Sequence, residues 1–144
     1  MHGDHQGLGC LRLAGETKGE SEVNSLEHNE QAALFRWAAM SERMYPELAL
    51  MYAIPNAARR SPRQGAWMKA EGMRAGVPDI HLPVAAGKYI GLWIEMKAGR
   101  NKPSVAQARF LRSLAILGHK TAVCYNWDEA RAQIEAYLNE PRCA

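Results

Sequence analysis

The chain has 144 residues, 47% of them hydrophobic and 23% charged, the composition of one ordinary globular domain with a real core. No apolar run approaches the roughly 18–20 residues of a membrane span, and the N-terminus lacks the basic and apolar regions of a signal peptide. Cys10, Cys124 and Cys143 are wrong in number and spacing for a disulfide framework or a zinc cluster, so the expectation is a cytoplasmic protein without membrane contact.

Residues 1–24 are rich in Gly, Ser, Glu and Lys and carry little periodicity, which predicts a flexible leader before a single domain over 25–144. From Leu26 to Arg43 the pattern is helical, with Leu34, Phe35, Trp37, Ala38 and Met40 on a broad apolar face. Tyr45-Pro46 ends that helix, and the apolar run Leu48–Ile54, stopped by Pro55-Asn56, predicts a buried strand. Ser61-Pro62 predicts an N-cap and a first helical position, opening a second helix to Arg74 with Gly76 near its C-terminal cap. Pro78–Val84 and Tyr89–Lys97 alternate as strands, and the short loop Ala85–Lys88 between them fits an antiparallel hairpin. A helix over Ser104–Leu117, a strand over His119–Tyr125 and a last helix to Leu138, opened by the capping pair Asn126 and Glu129, complete the chain. The order predicts an α/β fold, a mixed sheet with helices on both sides.

Charge is uneven. The formal total is only +3, yet Arg59, Arg60, Arg63, Lys69 and Arg74 stand against the single acid Glu71 between Ala58 and Gly76, five minus one, or +4. Such a stretch suits a phosphate backbone, and it equally describes a solvated helix face.

The two middle strands carry the chemistry. Asp79 and Glu95 sit within or beside apolar strands, where an isolated carboxylate is costly. If the strands are neighbours their acids converge, and two carboxylates make a hard oxygen site suited to Mg²⁺ or Mn²⁺. Lys97, two residues beyond Glu95, shares its strand face. Alone, the acid-x-Lys pattern also describes a same-face pair turned to solvent. The Pro-Asp at hairpin distance, the flanking Gly76 and Gly91 and the basic stretch favour the site.

These residues also carry a resemblance. Ala53-Ile54-Pro55-Asn56, Lys69-Ala70-Glu71-Gly72, Ala75-Gly76-Val77-Pro78-Asp79, Gly91-Leu92-Trp93-Ile94-Glu95-Met96-Lys97 and Lys102-Pro103-Ser104 through Gln107 resemble, in order and spacing, the VRR-NUC family of virus-type replication-repair nucleases. The resemblance spans about Glu27 to Leu138 and is strongest to the stand-alone phage and bacterial type. It implies a PD-(D/E)XK, restriction-endonuclease-like core, with a central mixed four-stranded sheet flanked by helices. It places the family's aspartate on Asp79, its glutamate on Glu95, its lysine on Lys97 and its glutamine on Gln107, although Ser104-x-x-Gln107 also reads as a capping box. A helix-one acid completes the family's site; Glu30 is preferred because it lies one turn before Leu34, with Glu27 on nearly the same face. One departure is Ala57-Ala58, where the family often carries glycines.

The implied activity is Mg²⁺-dependent hydrolysis of DNA phosphodiesters. Asp79, Glu95 and the Met96 carbonyl would hold the metal, Lys97 would face the attacking hydroxide and the phosphate, and Arg59, Arg60, Arg63, Lys69 and Arg74 would position phosphates. Branched junctions or flaps as substrates, a homodimer, and service in phage or bacterial replication, recombination or repair follow from the resemblance alone. The competing expectation is a catalytically silent nucleic-acid-binding module of the same fold. An RNA-directed nuclease is a nearer variant. His81, Trp67 and Trp93 are read as structural residues, with a supporting role near the site or base stacking as their functional alternatives.

Overall fold

The structure, a computed structural model, describes residues 18–55 and 61–141. In chain order these form α1 (Lys18–Ser41), a 3₁₀ turn (Pro46–Leu50), β1 (Tyr52–Ala53), α2 (Pro62–Ala70), β2 (Ile80–Leu82), β3 (Leu92–Met96), α3 (Val105–Ile116), β4 (Lys120–Cys124) and α4 (Trp127–Leu138). The predicted α/β architecture is present: a mixed four-stranded sheet in the order β1-β2-β3-β4, flanked by helices. β1, β2 and β3 run antiparallel in sequence, and β4 returns parallel to β3 after the α3 crossover.

The strands are shorter than predicted, Ile80–Leu82 for Pro78–Val84, Leu92–Met96 for Tyr89–Lys97 and Lys120–Cys124 for His119–Tyr125. The connection between the middle strands is therefore longer than the expected Ala85–Lys88 loop. Three further elements differ from the sequence reading. α1 begins at Lys18 rather than Leu26, taking in the last residues of the predicted leader, while residues 1–17 lie outside the described part. The run Leu48–Ile54 is not one buried strand. Pro46 occupies the first turn of the 3₁₀ segment, Leu48 and Met51 are buried from it, and only Tyr52 and Ala53 reach the sheet. α2 stops at Ala70, not Arg74, because Gly72 takes a φ of +99°. That left-handed residue lets the Gly72 amide donate to the Lys69 carbonyl and the Met73 amide to the Met68 carbonyl, the paired closure that ends a helix at glycine. Gly76 serves another purpose, described below.

The core follows from alternation. Leu92, Ile94 and Met96 point to one face of β3, level with Ile80 and Leu82 of β2, and all five are buried. Leu34 and Ala38 of α1 and Ile134 and Tyr137 of α4 join the same cluster, where the two helices meet each other and the sheet. The Tyr137 hydroxyl donates to the Val84 carbonyl, tying α4 to the chain leaving β2. α3 packs along β4, with Leu111 and Leu114 buried outside that cluster. The opposite face of β3 carries Trp93 and Glu95, and there the polar groups gather.

Candidate active site

β2 and β3 pair with Ile80 opposite Ile94 and His81 opposite Trp93, so one further step along the ladder sets Asp79 opposite Glu95. The expected convergence of the two acids is therefore a matter of register. The Met96 amide donates to Asp79 Oδ2 at 2.8 Å, and the Ile54 amide donates to the Asp79 carbonyl at 2.7 Å, fixing the aspartate from both neighbouring strands. The Lys97 amide donates to the Cys124 carbonyl at 2.9 Å, which continues the β3–β4 pairing past the acid.

Glu95 is fully buried, at 0% exposure, and Lys97 is 8% exposed. Lys97 Nζ lies 2.7 Å from Glu95 Oε1, and the Gln107 side-chain amide donates to the same oxygen. Glu95 Oε2 is buried without a hydrogen-bond partner among the described residues. Among the described residues, one oxygen thus takes both donors and the other takes none. An unpartnered buried carboxylate oxygen is costly, and a hard cation is a partner whose chemistry matches it.

Gln107 is placed so that both of its readings are compatible with the geometry. Its Oε1 accepts from the Ser104 amide at 2.8 Å while its own amide N–H donates to Ser104 Oγ at 3.2 Å, a complete capping box. Its Nε2 remains for Glu95. The first turn of α3 is therefore what aims the glutamine into the site.

Of the two helix-one acids, the structure brings Glu27, not the preferred Glu30, beside Lys97. Glu27 Oε1 accepts from the Ala98 amide at 3.2 Å and stands 3.9 Å from Lys97 Nζ. Glu30, one turn further along α1, accepts from the Trp127 amide at 2.7 Å and so satisfies the first turn of α4. It is not brought to the site. The need for acceptors at the start of the predicted last helix was the available signal.

Burial dominates the electrostatics. Burial, then the charge of Asp79 and lastly that of Glu27 lift the Glu95 carboxyl from its ordinary 4.5 to about 7, against the opposing pull of Lys97. For Lys97, burial disfavours the charge, but the hydrogen bond to Glu95 and the charges of Glu95, Glu27 and Asp79 outweigh it and raise the pKa. The ammonium stays charged, and Glu95 is easy to protonate while no other cation is near. Among the described residues, no three acidic, histidine or cysteine side chains converge into a complete metal cage. Asp79 and Glu95 supply two carboxylates, the number with which Mg²⁺ is commonly held when water and substrate oxygens fill its remaining positions.

His81 packs within the sheet face, and its Nε2, like Glu95 Oε2, is buried without a hydrogen-bond partner among the described residues. Its ring stacks on Trp93 at 3.9 Å and 13°, and Nδ1 lies 2.7 Å from the Tyr52 hydroxyl. Burial and then the nearby His119 lower its pKa. Trp93 Nε1 donates to His119 Nδ1 at 3.3 Å, so that tryptophan is engaged within the sheet face. Met96 buries its side chain in the core and leaves only its backbone for the site. Arg63, Lys69 and Arg74 are exposed, whereas Arg59 and Arg60 lie outside the described residues. A second basic stretch follows Lys97 directly: Arg100, Lys102, Arg109 and Arg112 are all exposed, and no acid occurs from Ala98 to Gly118. A charge tally restricted to the segment after the lysine would have found it.

A mixed four-stranded sheet flanked by helices, with Glu95 in β3 and Asp79 and Lys97 at the ends of its middle strands, is consistent with a fold of the restriction-endonuclease-like class. The model of the VRR-NUC domain family matches residues 16–127, and the chain belongs to that family. A solved structure described as a VRR_NUC domain protein is similar, with 26% identity and a TM-score of 0.69, over 81% of this chain and 91% of that one. No curated protein matches the chain at a significant level. Membership makes this a nuclease domain, a class that acts on nucleic acid. Among the described residues, no helix is long and apolar enough to cross a membrane.

Proposed function

We propose that the domain is a divalent-cation-dependent DNA endonuclease acting on branched or flapped DNA, as a homodimer, in phage or bacterial replication, recombination or repair in the host cytoplasm. The observation that carries the catalytic part is the asymmetry of Glu95: among the described residues two donors reach Oε1 and none the buried Oε2, with Asp79 opposite. Asp79, Glu95 and the Met96 carbonyl would hold Mg²⁺, with Mn²⁺ able to substitute. When bound, such a cation lowers the pKa of water and offsets charge on the phosphate.

The chain's own groups do the rest. Gln107 holds the Glu95 carboxylate through Oε1, so that Oε2 would be the oxygen offered to the cation. Glu27 and Glu95 keep Lys97 protonated, and its ammonium offsets charge on a non-bridging phosphate oxygen. Arg63, Lys69 and Arg74, with Arg59 and Arg60, position the backbone, joined by Arg100 and Lys102 beside the site. Binding of this kind is led by shape and weakens with salt.

Cleavage of labelled single-stranded, duplex, flap and four-way-junction DNA in Mg²⁺, Mn²⁺ or EDTA tests the proposal. Cutting is expected only with metal, best on the branched substrates, and lower by about 10³-fold or more in Glu95→Ala. Binding without cutting under every condition would instead identify a silent module.

A further inference from the structure

α2 is built to be helical without being built into the core. Ser61 and Gln64 form a full capping box, Pro62 starts the helix, and Gly72 closes it. None of its nine residues is buried. A helix this short gains little from its own hydrogen bonds, so its surface remains available for a partner.

That surface has a definite chemistry. Trp67 is 68% exposed. At 100° per residue Arg63, four positions earlier, lies on the same helix face as Trp67. From Ser61 to Gly76, Arg63, Lys69 and Arg74 stand against Glu71 alone, three minus one, or +2. An isologous contact with a second copy would set this same basic helix against itself. A polyanion complements it.

The helix is also tethered to the site. Gly76 has a φ of +84°, and a Cβ there would come within 2.6 Å of the Ala106 carbonyl carbon. The chain leaving α2 is therefore pressed onto the first turn of α3, beside Gln107, whose amide holds Glu95.

We propose that Trp67 is a base-stacking residue, and that α2 receives an unpaired stretch of the nucleic-acid substrate, with Arg63 on an adjacent phosphate. This rests on the nuclease reading and adds to it the helix and the side chain that would hold the unpaired part of such a substrate. An indole face stacks on any base, but paired bases within a duplex offer no free face. The helix therefore selects strands with unpaired bases, such as a flap or an open junction arm, without reading sequence.

The test is fluorescence anisotropy of the full chain in EDTA, with labelled single-stranded, flap, four-way-junction and blunt duplex oligonucleotides. Wild type is compared with Trp67→Ala, Trp67→Phe and Arg63→Ala. Trp67→Ala is expected to weaken single-strand and flap binding about tenfold, and blunt-duplex binding less than twofold. Trp67→Phe, which keeps an aromatic face, should recover most of the loss. Arg63→Ala should lower the salt slope on single strands by about 0.7. Equal losses on single strand and duplex, or no loss on either, would overturn the stacking role. Conversion of a dimer to a monomer by Trp67→Ala, with strand preference intact, would assign the face to a second copy and overturn it as well. A wild type that binds no nucleic acid would sink the nuclease reading too, whereas one that binds and cuts while Trp67→Ala behaves identically would sink only this proposal.

Discussion

The end of β3 and the helix α2 carry charge in opposite ways. At β3, Glu95 and Lys97 are packed inside the fold, each held by strand register and by side chains from α1 and α3. On α2, Arg63, Lys69 and Trp67 stand in solvent, and the helix is fixed by its caps. Charge that must meet one atom at one distance is placed by the core, at a cost in stability. Charge that must meet a long polyanion needs only a scaffold, and it costs the fold little.

After Glu95→Ala, the largest effect that sharpens this contrast is expected from Lys97→Ala. Removing one member of a buried ion pair leaves the other uncompensated, which costs about 3 kcal/mol. Cleavage should fall by about 10²-fold or more in the same variant. Urea denaturation at pH 8 and a cleavage assay read the two losses. Loss of neither would show that the pair is not a functional unit.

A pH series comes next. Folding raises the Glu95 carboxyl from 4.5 to about 7, so its contribution to stability is fully present below about 4.5 and is lost as pH rises through about 7. The Lys97 shift, also upward, acts only near and above its ordinary 10.5 and does not change the sign in that window. In EDTA, Tm should therefore fall between pH 5 and pH 8. Saturating Mg²⁺ should flatten or reverse the slope, because the cation binds the carboxylate form. A Tm in EDTA that rises across the same window would place Glu95 in a different environment.

The two acids of α1 separate more finely. Glu30→Ala removes an acceptor from the first turn of α4 and should cost about 1 kcal/mol with cleavage unchanged within about twofold. Glu27→Ala should do the reverse, lowering cleavage about tenfold with a smaller change in stability. Exchange of these outcomes would return the role to Glu30. Smallest of all, Lys69→Ala on α2 should stay within about 0.5 kcal/mol of the wild-type stability while weakening DNA binding at low salt.

Much of the fold was legible in the sequence because strand alternation and capping are local. The period of Ile80, Leu82, Leu92 and Ile94 put Asp79 and Glu95 on polar strand faces, and the short connection between the two strands made them candidate neighbours. Ser61, Ser104 and Asn126 each cap the helix expected of them. What failed was tertiary. Nothing between Leu48 and Ile54 distinguishes a buried strand from a 3₁₀ turn that buries Leu48 and Met51 before two edge residues. Glu27 and Glu30 lie one turn apart on one helix, and only the packing of α1 against α4 decides which carboxylate reaches the Lys97 ammonium. The exposure of Trp67, expected to pack, likewise depends on α2 standing clear of the core.

The most direct measurement is Mn²⁺ binding at pH 8, followed by electron paramagnetic resonance, in wild type and Glu95→Gln, with cleavage of a four-way junction assayed in parallel. Wild type should bind the ion and cut. Glu95→Gln, nearly the same shape without the charge, should bind at least about tenfold more weakly and lose cleavage. A Glu95→Gln protein that holds Mn²⁺ and cuts the junction as wild type does would contradict the assignment of this buried carboxylate as the cation's ligand.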